Sequence, residues 1–277
     1  MKSNLVYLGF IIFFLSSCGM NDFAEQSELG NLKVLALVAD TPEINAAATV
    51  TITPLISYPD GGDTTLNYSW QACPDPGIDF GAELNCDSSS LLTLSDAGTF
   101  ATSALSSTNY TGDATNISVN IPAGAFTYLA TLSSDIQYNG LDYILFLTYT
   151  DPTNNSEVSA LRRVKLTTKG ASELNTNPST GNILFDGADL STYPTVTGDM
   201  TVATLSPSET YQLETSSGLK SFNEDMFISW YASSGEFQFN RTDIAESNEY
   251  SPGNGSGVFV IVYRDGRGGV ATRLVNF

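Results

Sequence analysis

Apolar stripes and turn-forming punctuation alternate along this chain almost from end to end. Leu5 to Leu15 is an apolar run behind Lys2. It has about half the length a bilayer-spanning helix needs, which predicts a secretory signal rather than a membrane helix. Gly19 to Leu32 holds few apolar residues and no period, as a tether would. Beyond it the period becomes two. Asn31 to Ala39 predicts a nearly continuous apolar strand. Val50 and Ile52 alternate with threonines, and Ile117, Val119 and Ile121 alternate with Ser118 and Asn120, each giving one buried and one wet face. Tyr143 to Tyr149 and Val258 to Tyr263 are apolar and aromatic almost throughout, which predicts strands in the middle of a sandwich. Turn formers separate them, among them Pro59 to Asp63, Asp151-Pro152, Pro252 to Gly255 and Asp265-Gly266. Only Ala123 to Leu132 reads as a short helix, so the predicted class is all-β.

A repeat runs through the pattern. Tyr68-Ser69-Trp70-Gln71-Ala72 matches Ile228-Ser229-Trp230-Tyr231-Ala232, and Leu147 to Asp151 matches Ile261 to Asp265. A turn follows each, then Ser159 to Val164 matches Val270 to Val275, with the two turns differing by three residues. Two copies of a tryptophan strand and a final hairpin predict two related domains. The copies differ in length: Trp70 and Tyr149 lie 79 residues apart, Trp230 and Tyr263 only 33. The first therefore carries an insertion.

Leu15-Ser16-Ser17-Cys18 closes the apolar leader and resembles the lipobox of bacterial lipoproteins. The resemblance implies cleavage before Cys18 and a diacylglycerol or palmitate modification of its thiol. It also implies a cell-envelope location, with the outer membrane or cell surface favoured because residue 19 is glycine, not aspartate. The organisation expected is a signal peptide over 1–17, a lipidated tether over 18–32, a first domain over 33–167, a linker over 168–181 and a second domain over 182–277. With Cys18 acylated, the remaining cysteines, Cys73 and Cys86, form one pair, expected as a disulfide that stabilises the fold by roughly 3 kcal/mol. A zinc site would need two further ligands, and the chain has no histidine and no third free thiol.

The two tryptophan copies resemble immunoglobulin-like and PKD-like modules, in which a tryptophan on a central strand packs between two sheets. That resemblance implies two tandem Ig-like β-sandwiches, the first enlarged by the insertion. More narrowly, lipobox, tether and modules together resemble bacterial surface lipoproteins. Trp70 and Trp230 are then core anchors, while Tyr110, Tyr138 and Tyr250 are the aromatics expected at the surface.

Charge and chemistry narrow the function. The formal charge is −19, and −20 once Lys2 is removed with the leader, which disfavours nucleic acid as a partner. The lipid on Cys18, not protein charge, is the expected membrane contact. Without histidine, Ser-His-Asp, Cys-His and HExxH chemistries are excluded. Gly253 to Gly257 lacks both the nucleophile-elbow spacing and a phosphate-loop lysine, and reads as a loop entering a strand. Asp75, Asp79, Glu83 and Asp87 cluster near the cysteine loop. As paired carboxylates they are the one route left to glycan hydrolysis. Asp60, Asp63, Asp75 and Asp79 are weak calcium candidates, and Asp186 with Asp189 forms a third acidic turn, but no EF-hand order occurs. Asp265 to Gly269 suits a hairpin with positive φ, with Arg264 and Arg267 pairing to nearby acids. No cofactor and no catalytic residue is expected. The leading expectation is a non-catalytic interaction module touching protein or glycan through the loops 73–86 and 88–116, with a carboxylate-dependent glycan hydrolase and a structural envelope spacer as alternatives.

Overall fold

Alternation turned into strands accounts for nearly all of the architecture seen in the computed structural model, which describes residues 29, 32–58, 64–75, 86–87, 90–102, 116–189, 200–205, 207–244, 246–253 and 255–277. The first half of the chain forms β1 (Lys33–Ala39), β2 (Glu43–Ile44), β3 (Ala48–Ser57), β4 (Thr64–Pro74), β5 (Leu94–Thr102), β6 (Ile117–Ile121), α1 (Ala123–Leu129), α2 (Ser134–Asn139), β7 (Leu141–Thr150) and β8 (Glu157–Leu166). The second half forms β9 (Asn182–Phe185), β10 (Ala188–Asp189), β11 (Met200–Leu205), β12 (Thr210–Thr215), β13 (Gly218–Asn223), β14 (Phe227–Ala232), β15 (Glu236–Phe237), β16 (Arg241–Asp243), β17 (Asn248–Ser251), β18 (Val258–Arg264) and β19 (Val270–Asn276). The fold is an all-β sandwich, as the pattern predicts. The signal and most of the tether, including Cys18, lie outside the described residues.

In the first half, the sheet β1-β3-β6 faces the sheet β2-β8-β7-β4-β5. Between them lies a core that includes Val50, Ile52, Leu66, Trp70, Leu145, Leu147 and Tyr149. In the second half, β10-β9-β11-β17-β15 faces β16-β14-β18-β19 around Trp230, Phe237, Tyr250 and Phe259. This second core is aromatic: Tyr250 meets Phe259 edge-on at 4.6 Å, and Phe259 stacks on Phe277 at 4.2 Å. Tyr250 is therefore a core residue, fully buried, and not the surface aromatic expected. Trp70 and Trp230 are buried as expected, and Trp230 donates its indole N–H to Thr242 at 2.9 Å.

The repeat is visible in the register. Trp70 pairs with Leu147 in β7, and Trp230 pairs with Ile261 in β18, the residue matched to Leu147. The closing hairpins depart from the sequence match. Thr150 pairs with Glu157 and Arg264 with Val270, so the turns differ by one residue, not three. The last strands therefore align two residues further along than their letters suggest. A shift of two leaves each side chain on the same face.

Two strands are apolar on both faces because the two halves pack against each other. In β18, Phe259, Ile261 and Tyr263 enter the second core, while Val258, Val260 and Val262 enter a third cluster with Leu29, Leu35, Ala36 and Leu55 of the first half. In β1, a register shift between Val34 and Ala36 lets two consecutive residues, Leu35 and Ala36, serve this joint while Leu37 and Ala39 serve the first core. Leu29 is held there as well, its carbonyl accepting the Ser57 hydroxyl. The β12-β13 hairpin adds a second bridge: Asn139 of α2 and Glu214 of β12 exchange hydrogen bonds of 2.8 and 2.7 Å.

Leu35, 2 % exposed in this joint, makes the packing measurable. Leu35→Ala is expected to lower stability by about 3 kcal/mol, seen as a drop in the urea midpoint with an unchanged denaturant slope.

Candidate functional site

The joint is not apolar throughout. Beside the third cluster, Glu43 is buried to 1 % exposure. Its Oε1 accepts Lys169 Nζ at 3.0 Å, and its Oε2 accepts the Asn175 N–H at 2.6 Å and faces Arg267 at 3.7 Å. Arg267 comes from the β18-β19 turn of the other half. It also pairs with Glu224 at 3.0 Å and lies 4.4 Å over the Tyr211 ring. Asp265 closes the network: its Oδ1 accepts the N–H groups of Arg267 and Gly269, and its Oδ2 accepts the Asn175 amide. Gly266 and Gly268 in this turn have φ of 73° and 109°, the positive values that the pattern predicts. The stretch expected as a linker thus contributes two buried polar anchors, Lys169 and Asn175.

Next to this network lies a cleft of about 370 Å³. β2 pairs with β8 only through Lys165 and Leu166, so the earlier edge of β8 is free to line the cleft while the β18-β19 turn folds over it. Its cations are Arg162, Arg163 and Lys165 of β8, Arg264 of β18 and Arg267 of the turn. Five of the chain's 11 Lys and Arg thus meet at one place on a protein of charge −19. Leu37, Leu161, Phe227 and Val270 supply apolar wall, and Asp142 is the lining carboxylate.

Most of these cations already have acceptors. Lys165 and Arg163 lie 2.9 and 3.5 Å from Asp142. Arg267 is engaged as above. Arg264 donates to Ser229 Oγ at 2.8 Å and to the Leu35 carbonyl at 3.1 Å, binding backbone and hydroxyl where pairing to an acid was expected. Arg162 differs. It is 5 % exposed, and its Nε and Nη2 have no acceptor among the described residues. Burial pulls its guanidinium down to about 10, against the opposing field of Asp265. Arg162 pairs across the hairpin with Leu145, and at the equivalent place in the second half Phe259 pairs with Val275, a core residue. A cation therefore occupies what is otherwise an inward, apolar position.

The residues singled out from sequence are placed as follows. Cys73 and Cys86 form the expected disulfide, with Cα atoms 5.8 Å apart. Asp60, Asp63, Asp79 and Glu83 lie outside the described residues, as do Tyr110 and most of the loops 73–86 and 88–116. Asp75 donates its backbone N–H to the Asp142 carbonyl at 2.8 Å, and Asp186 holds its turn by accepting the Thr201 N–H at 2.9 Å. Among the described residues no group of three or more His, Cys, Asp or Glu is arranged to hold a metal, and no helix is long and apolar enough to cross a membrane. Tyr138 donates its hydroxyl to Glu173 at 3.0 Å beneath Lys169. Asp151 and Asp265, matched in the repeat, are both buried and both accept N–H groups of their own turns.

Sequence reasoning missed Glu43, Lys169, Glu224 and Arg162. A signal for Arg162 existed: Val158, Ala160, Val164 and Leu166 point inward along β8, and Arg162 falls in phase with them. Glu43 and Lys169 are 126 residues apart and carry no local signature. No protein-family model matches the chain, and no curated protein matches it in sequence.

Two measurements probe the network. Removing one member of a buried ion pair leaves the other charge uncompensated, so Glu43→Gln is expected to cost about 3 kcal/mol in denaturant unfolding. Burial, only partly opposed by the Glu209 N–H and the Arg267 charge, raises the Glu224 carboxyl above its ordinary 4.5. The folded state then holds this proton more tightly than the unfolded one, so ionisation works against folding. Relative to Glu224→Gln, the wild type is expected to lose stability as the pH climbs from 4.5 through the raised value. A difference that stays flat with pH would contradict the assignment.

Proposed function

We propose that this chain is an exported lipoprotein, anchored through acylated Cys18, that acts as a non-catalytic binding module of the cell envelope. In this reading, two Ig-like sandwiches over 33–167 and 182–277 are joined face to face, and the cleft at the joint contacts an anionic partner or glycan. One observation carries it: the cluster of five cations around one concave, partly apolar cleft on an otherwise acidic protein. A net charge of −19 disfavours acidic ligands in general, so such a cleft would favour both a place and a charge for binding. Hydrolysis of a glycan by the usual route needs two carboxylates across the scissile bond, whereas this cleft is lined by Asp142, which is tied to Arg163 and Lys165.

The anchor and the cleft are tested separately. Cys18→Ser is expected to abolish incorporation of labelled palmitate and to release the protein from membranes. On a glycan array, the fragment from Gly19 to Phe277 is expected to retain acidic glycans and not their neutral counterparts, with binding lost at about 1 M salt, where screening acts within about 3 Å. Arg163 and Lys165 are partly exposed, so the double change Arg163→Ala with Lys165→Ala should weaken retention at least tenfold without unfolding the protein. Equal retention of neutral glycans, or an unaffected double variant, would sink this reading.

A further inference from the structure

We propose that the cleft is a carboxylate-binding site whose anchor is the Nε and Nη2 edge of Arg162. The proposal rests on the reading of the cleft as the ligand-contacting centre and specifies its ligand class. Nε–H and one Nη2–H lie on the same side of a guanidinium and run parallel, so together they form a fork that matches the two oxygens of a carboxylate. In Arg162 that edge is without acceptors among the described residues and is buried, so a carboxylate entering the cleft must displace the side chains that cover it.

A buried polar group without a partner is costly, and a buried cation more so. Arg162 stands where the repeat holds Val275, so an apolar side chain would satisfy the fold there. Retaining a guanidinium at such a position makes sense if an anion completes it.

Charge selects the kind of anion. Arg163 and Lys165 share Asp142, and Arg267 is taken by Glu224 and Glu43. The oxygens of Asp265 are engaged by the turn N–H groups and by Asn175. What remains unmet is a single fork on a single cation, which suits a monoanionic, planar carboxylate better than a doubly charged phosphate ester. Leu37, Leu161, Phe227 and Val270 offer apolar surface for an organic body beside the carboxylate. A volume of about 370 Å³ falls at the small end of small-molecule sites.

The test follows the Arg162 Nε–H signal in the chain from Gly19 to Phe277, where only six arginines contribute. Sodium benzoate is titrated at fixed ionic strength, with benzyl alcohol as its neutral counterpart and phenyl phosphate as the tetrahedral dianion. The expected result is a saturable shift of the Arg162 signal with benzoate, none with benzyl alcohol, and at least tenfold weaker binding of phenyl phosphate. Arg162→Lys keeps the charge and loses the fork, and should weaken benzoate at least tenfold. Arg162→Leu should abolish binding while unfolding at the same denaturant concentration as wild type or higher, because it restores the apolar character of the position. Tighter binding of phenyl phosphate would overturn the carboxylate assignment while leaving an anion-binding cleft. An unmoved Arg162 signal with acidic glycans still retained would overturn the anchor but not the binding reading. A stability loss in Arg162→Leu as large as that of a core deletion would make the residue structural and overturn the proposal.

Discussion

Glu43 is the constraint on which the rest of the arrangement depends. It is buried between the two halves of the chain, and its two oxygens are met by Lys169, by the Asn175 N–H and by Arg267. Two of those partners lie in the segment after β8, and the third arrives from the far hairpin. A carboxylate that deep is tolerated only when its oxygens are met; Lys169 and the Asn175 N–H meet them directly, and Arg267 brings a charge of the second half to within 3.7 Å. The valine stripe of β18 and the bulged end of β1 contribute the non-directional part of the attraction; the ion network fixes the angle and register at which they meet.

The cleft is a by-product of that fixed geometry. β2 is two residues long and leaves most of the β8 edge uncovered, while the β18-β19 turn, held by Asp265 and Arg267, folds over the gap without closing it. Cations from three elements are thereby brought to one place. Arg163, Lys165 and Arg267 are balanced there by Asp142, Glu43 and Glu224, and Arg162 is left with its Nε and Nη2 unmet among the described residues.

Much of this was legible in the letters. Alternation at Val50 and Ile117 and the continuous run of β18 were enough for strands, and the matched tryptophans predicted two equivalent cores. The helix α1 was legible too, but α2, six residues over Ser134–Asn139, is too short to show a period. The letters misled where two causes give one pattern. The apolar run of β18 looks like a mid-sandwich strand and that of β1 like a continuous apolar strand, yet half of each run serves the joint between the halves. The polar composition of 168–181 looked like an exposed linker, but Lys169 and Asn175 are polar because they answer Glu43 and Asp265 in the interior. Tyr250 stood in an apparently exposed stretch and belongs to the aromatic core. Pairings across more than a hundred residues, such as Glu43 with Lys169, leave no local trace to read.

The central claim is that the two halves are one cooperative body, and the chain holds its own reporters for it: two tryptophans, one in each core. With Trp70 or Trp230 replaced by phenylalanine in turn, urea unfolding followed by the fluorescence of the tryptophan that remains reads each half separately. Once each midpoint is corrected for the stability cost of its own replacement, the welded arrangement predicts coincident curves of equal slope. Two transitions at distinct urea concentrations, each with a slope suited to half the chain, would show that the halves fold independently and that the joint does not hold them.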